Sequence, residues 1–401
     1  MYKVMAVNAG SSSLKFKLYE MPEEKALTSG ICERIGHDDG IFTIRDKEGN
    51  KVTKVLPIKD HSVAVELVIN GLLEHHIIES LDEIKGIGHR IVQGGPYFSD
   101  SAIFGEDGDT EKKIESLIPL APLHNGPHLI GYRAFKKALP NVGQIAVFDT
   151  SFHQTMEEAD YLYPIDPEYY EKYQLRRYGA HGTSHRYLSE IAQHKYLHDK
   201  EDSRIITLHI GSGASLCAIK DGKCVLTSMG LTPLGGIMMG TRTGDMDPSV
   251  FNYLVSKTGR SAEEIFQEFN KKSGLLGVSG ISNDTRDIEA AYHKGDKRAI
   301  LAIKMWALKL SQFIASYACR LGRVDIIVWS AGIGENAPFY RQAVIDECAE
   351  FMGLKLDKKL NESTIGKEGV ISSKDSSIPM VVIPTDEEIM IARDTVRLLK
   401  L

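Results

Sequence analysis

The sequence lacks paired cysteines, an excess of basic charge and any long apolar run, and each absence removes a class of protein. Its five cysteines (Cys32, Cys217, Cys224, Cys319, Cys348) are scattered and form no CxxC. That spacing indicates neither a disulfide framework nor a zinc site, and reads as free thiols buried in a reducing cytoplasm. The formal net charge is −6 over 401 residues, which argues against a nucleic-acid partner. No apolar stretch approaches the length of a membrane span, and the N-terminal MYKVMAVNAGSSS does not read as a signal peptide, because its apolar run is short and ends in a polar turn. There is no GxxxxGK[ST], so a P-loop enzyme is excluded, and no low-complexity segment. What remains is an ordinary globular composition, 42% hydrophobic and 25% charged, in a chain too long for one core. Two domains are expected, residues 1–150 and 151–385, with a C-terminal helix over 386–401 packing back on the first.

Strand-like and helix-like stretches alternate, which makes the class α/β. Residues 4–7 are apolar, 8–13 (NAGSSS) are small and polar, and Leu14, Phe16 and Leu18 then alternate with polar residues. The same strand–turn–strand unit recurs at 205–219 around the turn Gly211-Ser212-Gly213, followed by a hairpin turn at Asp221-Gly222. Two copies half a chain apart suggest a duplicated fold. Residues 61–78 carry a helical pattern, and 144–148 a buried strand ending at Asp149. Pro164 and Pro167 interrupt 161–178, which reads as a connection between domains. Residues 299–321 are apolar around most of a helical circumference and read as a buried helix stopped by Gly322.

Three small-residue turns follow apolar strands, at 8–13, 211–215 and 332–336. Glycine allows close backbone approach to a ligand, and exposed N–H groups can cradle phosphate. One such turn is usually only a turn; several in one α/β chain point to a phosphate ligand. Arg90 and Arg242 each stand among glycines, where a surface salt bridge is the ordinary role and a bidentate anion clamp the functional one. His181 precedes a helical stretch; with His185 four residues on there is no HExxH, so metal binding is not indicated. Asp149 ends a strand, where α/β proteins place ligands. Thr385 and Glu388 have capping-box spacing, which leaves Glu387 as the freer carboxylate for a magnesium shell.

These motifs, in the order VNAGSSSLKF, GHRIV, APLHN, VFDTSFHQTM, RRYGAHGTSHRY, GTRTGDMDP, NKKSGLLGVSGISND, AGIGENA and IPTDEEIMIARDT, together resemble the acetate kinase family. The resemblance implies a duplicated ribonuclease-H-like fold of the actin-like ATPase type, an active site in an interdomain cleft, a cytoplasmic homodimer, and Mg2+ (or Mn2+) with ATP or ADP as co-substrate. It implies acetate as the acid, with propionate or a broader range of short acids as the alternative, and neither a nucleic-acid nor a membrane partner. Carried onto this chain, it places Asn8 and Glu387 at the metal, and Ser11, Ser13 and Lys15 by the phosphates. His209, Ile210, Gly211, Ser212 and Gly213 would meet the phosphates from the second domain. Asp284, Thr285, Arg286, Gly332, Ile333, Gly334, Glu335 and Asn336 would hold the nucleoside. Arg90 would bind the substrate carboxylate, Asp149 would be the catalytic acid residue, and His181 and Arg242 would stabilise the transition state. Val92, Leu123, Ala180 and Pro233 would line the alkyl pocket. Ala180 stands where the family commonly has phenylalanine, a smaller wall that would admit a longer acid.

Overall fold

The computed structural model describes every residue except Leu123. The chain divides into two compact units: unit 1 holds Met1–Phe152 and Asp386–Leu401, and unit 2 holds His153–Thr385.

Unit 1 is built on β1 (Tyr2–Ala9), β2 (Ser13–Met21), β3 (Lys25–Glu33), β4 (His37–Arg45), β5 (Lys51–Ile58), β6 (Ile84–Ile91), β7 (Ala102–Ile103) and β8 (Gly143–Phe148), in the order β5-β4-β3-β2-β1-β6-β8-β7. The all-apolar stretch Val4, Met5, Ala6 and Val7 is buried because β1 lies inside the sheet, antiparallel to β2 and parallel to β6. β6 is in turn parallel to β8.

Unit 2 repeats the scheme with β9 (Arg204–Ile210), β10 (Ala214–Lys220), β11 (Lys223–Thr227), β12 (Ile326–Ser330), β13 (Gly369–Val370) and β14 (Met380–Val382), in the order β11-β10-β9-β12-β14-β13. β9 and β10 form the antiparallel hairpin, and β12 and β14 continue in parallel. The string β3-β2-β1-β6-β8 thus matches β11-β10-β9-β12-β14 position by position. This is the duplicated ribonuclease-H-like core. Asp221 (φ 48°) and Gly222 (φ 72°) make the left-handed two-residue turn expected between β10 and β11.

Three local expectations are corrected. The helix Lys297–Leu321 ends at Gly322 (φ 76°), but only one face is buried, through Trp306, Leu310, Ile314 and Tyr317. Its outer face carries exposed Leu301, Met305 and Leu308. Residues 161–178 pack within unit 2 instead of linking domains: Arg176 stacks 3.5 Å from the Tyr161 ring, and Arg177 donates to the carbonyls of Thr227, Ser228 and Met229 at 2.9–3.2 Å. Residues 332–336 are not an open turn but part of the short helix Ala331–Asn336.

The helix Glu387–Leu399 lies on β6, and glycines admit it. A Cβ built at Gly88 would stand 2.3 Å from Ile391 Cγ2, and one at Gly86 would stand 2.6 Å from Thr395 Cγ2. The G-I-G-H-R run is therefore a docking surface for the helix that carries Glu387. Gly88→Ala is expected to lower unfolding free energy by about 1–3 kcal/mol through overpacking. Gly126→Ala, where a Cβ meets nothing within 4 Å, should be close to neutral. Denaturant titration of both variants checks the difference.

Candidate active site

In unit 1 the parallel strands β1, β6 and β8 bring their C-terminal ends to one edge. Val7 pairs with His89 and Ile91 with Phe148, so Asn8, Arg90 and Asp149 arrive at neighbouring levels. Arg90 and Asp149 form a two-pronged pair, Nε to Oδ1 at 3.0 Å and Nη2 to Oδ2 at 2.6 Å. The Asp149 side chain is 1% exposed, that of Arg90 20%. Glu387 Oε2 lies 3.8 Å from Arg90 Nε. Burial raises the Glu387 carboxyl to about 7; Asp149 and Glu388 push the same way, against Arg90 and Lys15. Burial opposes the Arg90 charge, but Asp149 and Glu387 outweigh it and hold the guanidinium above its ordinary range.

The first turn of the helix Glu387–Leu399 is fixed by Asp386, which caps it by accepting from the Ile389 N–H at 3.1 Å. Asp386 also accepts from Lys17 and from the Tyr19 hydroxyl, both at 2.9 Å. The expected Thr385–Glu388 capping box is absent, because the Thr385 hydroxyl bonds Ser184 at 2.8 Å. The turn between β1 and β2 is only three residues, closed by Gly10 N–H to Ser13 O at 2.7 Å and backed by His61 Nε2 at 2.8 Å from Gly10 O. Ser11 and Lys15 are exposed and Ser13 partly so. Val92 is buried, its N–H facing His128 Nδ1 at 3.4 Å. Leu123 lies outside the described residues.

Asn8 and Glu387 offer oxygen donors, the chemistry a hard divalent cation takes. Glu387 and the buried Asp149 share one arginine, and a cation would offset the burial that raises the Glu387 carboxyl. The residues present fit such a cation.

In unit 2 the turn Gly211-Ser212-Gly213 between β9 and β10 is closed by Gly211 N–H to Gly213 O at 3.2 Å, and Ser212 O accepts from the Gly240 N–H at 3.1 Å. A Cβ at Gly213 would stand 3.3 Å from Arg242 Nη1 and 3.8 Å from His181 Nε2. A side chain there would crowd Arg242, while His181 would lie at ordinary contact distance. Arg242 donates to Pro233 O at 3.3 Å; among the described residues it has no carboxylate partner, and burial lowers its pKa.

His181 sits at φ 59°, a left-handed conformation that a non-glycine residue holds only where its surroundings impose it. Its ring stacks on His209 at 4.1 Å and 26°. Its Nδ1 meets Ser215 Oγ at 2.8 Å, and that hydroxyl also meets His185 Nε2 at 2.8 Å. His185 Nδ1 continues to Thr207 Oγ1 at 2.7 Å, and His209 Nδ1 to Ser184 Oγ at 2.8 Å. Burial, with His153 and His209 nearby, keeps His185 well below the usual histidine range, so it is neutral. Sequence reasoning missed Ser184, His185, Thr207 and Ser215 as supports for His181. The available signal was polar residues at inward positions of strands otherwise entirely buried, as Thr207 and His209 are in RIITLHI.

The other nucleotide candidates divide. Asp284 caps the helix Thr285–His293, and its fork with Arg286 lowers its carboxyl to about 2. The Glu335 carboxylate is already engaged, accepting from the Ala331 N–H at 2.7 Å and the Thr385 N–H at 3.1 Å. Both bonds fall on Oε1, which ties the start of the helix Ala331–Asn336 to Thr385. Asn336 donates to Gly332 O at 2.9 Å. Behind them the fully buried Arg341 donates to Gly334 O at 2.8 Å and Thr364 O at 2.9 Å, a support that its sequence position did not signal. Ile210 and Ala180 are buried in the unit 2 core, and Pro233 is partly exposed.

Two ribonuclease-H-like units, one with an arginine–carboxylate pair and one with a glycine turn flanked by arginine and histidine, define a phosphotransferase of the actin-like ATPase fold. The chain belongs to the Acetokinase family, whose model matches residues 3–393. It is 51% identical over 395 residues to the acetate kinase of Macrococcus caseolyticus, covering 98% of each chain. Among solved structures it is similar to Porphyromonas gingivalis acetate kinase (TM-score 0.93, 44% identity, 100% of both chains). It is also similar to a propionate kinase from Francisella tularensis (TM-score 0.92, 39% identity, 99% of this chain and 100% of that one).

Proposed function

We propose that this chain is an acetate kinase, moving a phosphoryl group reversibly between ATP and acetate to give ADP and acetyl phosphate by direct in-line transfer. The observation that carries the reading is Arg242: a half-buried guanidinium with no acidic partner among the described residues, held against a phosphate-type turn. Such a charge awaits an anion.

A carboxylic acid is already ionised at neutral pH, so the attacking oxygen needs no general base. The task is to align two anions and neutralise charge as the phosphoryl group moves. Asp149 is engaged by Arg90 at both oxygens, which suits orienting the arginine better than accepting a proton. A guanidinium has five N–H donors, so the fork to Asp149 leaves the other edge of Arg90 for the acid. Arg242 and His181 Nε2 act on the transferring group, and His185 and Ser215 position His181. The nucleotide is assigned to the turn 211–213 and the segments at 284–286 and 332–336, and Ser11, Ser13 and Lys15 are assigned to phosphate binding. Asn8 and Glu387 would hold Mg2+ or Mn2+, which when bound would supply charge neutralisation for the nucleotide phosphates.

The reading includes a homodimer in the cytoplasm, with neither a nucleic-acid nor a membrane partner. The apolar outer face at Leu301, Met305 and Leu308 supports self-association, since a lone chain would leave it in water. Propionate is the second reading, favoured by the small Ala180 and by similarity to a propionate kinase. One methylene in an apolar pocket is worth about 1–3 kcal/mol, or roughly 10–200-fold. With acetate, propionate, butyrate and glycerol offered in turn, kcat/KM is expected to be highest for acetate and to fall within that range for propionate. Highest values for propionate would reassign the acid, and activity on glycerol alone would reassign the reaction.

A further inference from the structure

Unit 2 gathers three donors that the phosphoryl-transfer reading does not use. β10 carries Cys217 and β11 carries Cys224, and the hairpin between them brings their Sγ atoms to 3.4 Å. His153 Nδ1 lies 3.2 Å from Cys224 Sγ and 4.0 Å from Cys217 Sγ. All three residues are buried, at 0%, 1% and 0% exposure for His153, Cys224 and Cys217. The scattered cysteines thus hid a pair, seven residues apart on either side of a two-residue turn.

The histidine supplies the second observation. Its Nε2 lies 3.0 Å from Ala180 O. A carbonyl only accepts, so the proton sits on Nε2 and the Nδ1 lone pair faces the sulfurs. Fixing the far nitrogen of a histidine by a backbone carbonyl is how proteins aim a metal-ligating imidazole. A cation about 2.3 Å from each sulfur and about 2.0–2.1 Å from the nitrogen would set donors roughly 3.5–4 Å apart. The observed 3.2–4.0 Å separations need shifts of only a few tenths of an ångström.

We propose that His153, Cys217 and Cys224 form a buried site for one thiophilic d10 cation, Zn2+ or Cu+. Two thiolates and a neutral imidazole select soft cations over Mg2+. Binding replaces the two S–H bonds with metal–sulfur bonds and releases both protons to solvent. Three donors and no fourth His, Cys, Asp or Glu in the cluster among the described residues make a trigonal site, open to one further small ligand in the case of Zn2+. The site lies directly behind His181. Ala180 precedes that residue, and Ser215, two positions before Cys217 on β10, bonds its ring. The bound cation would pin the backbone that holds His181 in its left-handed conformation, which makes His153 a positioning residue.

The test uses full-length protein freed of metal under reductant, then loaded with Zn2+ or, anaerobically, with Cu+, desalted, and assayed by plasma mass spectrometry. About one equivalent per chain is expected to be retained, with X-ray absorption showing a two-sulfur, one-nitrogen shell. Cys224→Ser and His153→Asn should fall below a tenth of an equivalent, while Cys319→Ser, at an exposed cysteine outside the cluster, should bind fully. The absorption shell is read on the unmutated protein, so a variant that fails to fold does not decide the matter. Retention below a tenth of an equivalent by the unmutated protein for both ions, an oxygen-only shell, or a Cys217–Cys224 disulfide persisting under reductant would each overturn the site.

Discussion

Arg242→Ala is expected to lower kcat by about 10³-fold or more, with KM for ATP and acetate changed far less. An arginine acting on a transferring phosphoryl group contributes roughly 10³–10⁵ in rate, or at least ~4 kcal/mol of transition-state stabilisation. The structure explains why this residue should sit near the top of that scale. Its guanidinium is partly desolvated, burial lowers its pKa, and no described carboxylate competes for it. Its charge is therefore unspent until an anion arrives. Removing it deletes no ion pair, so the melting temperature should move little or rise. Arg242→Lys should recover only part of the rate, since an ammonium cannot match two phosphoryl oxygens at once. Steady-state kinetics beside a thermal melt separates the two effects. A kcat within tenfold of the unmutated value would remove Arg242 from the mechanism.

Arg90→Ala should behave differently, because Arg90 already has a partner. Its loss leaves the 1% exposed Asp149 and the nearby Glu387 without their cation. Breaking a buried pair from one side costs about 3–5 kcal/mol, so this variant is expected to be destabilised as well as impaired in binding the acid. Asp149→Asn is the companion variant. It removes one negative charge from a site that already holds Glu387, so it should unfold less readily while still disordering the guanidinium. In both, KM for the acid is expected to rise by roughly 10–100-fold, the value of one or two charge-assisted hydrogen bonds, with KM for ATP nearly constant. A rise in KM for ATP alone would place Arg90 at the nucleotide instead.

Comparing the sequence reading with the structure separates what is local from what is not. The two strand–turn–strand units could be read because glycine and serine turns interrupt uniformly apolar runs, and those runs became interior strands β1 and β9. Asp149 could be read because it directly follows such a run. The fork between Arg90 and Asp149 could not, since it depends on β6 and β8 lying side by side and joins residues 59 positions apart. The tie from Glu335 Oε1 to the Thr385 peptide could not be read either, since nothing in AGIGENA announces a partner 50 positions away. The helix Lys297–Leu321 looked buried because apolar residues cover its circumference, yet Ile300, Leu301, Met305 and Leu308 are exposed in a single chain. Capping chemistry misled for a related reason. Thr385 and Asp386 are both good caps, and Asp386 prevails because Lys17 and Tyr19 hold it. Cys217 and Cys224 escaped notice because spacing rules look for CxxC, whereas a hairpin pairs residues across its turn.

The central claim is that ATP gives its phosphoryl group to a carboxylate oxygen. Trapping the product with hydroxylamine tests it most directly. Purified protein with ATP, Mg2+ and acetate should yield acetohydroxamate in step with ADP, and neither should form when acetate is left out. ADP released without hydroxamate, or at the same rate without acetate, would contradict the account.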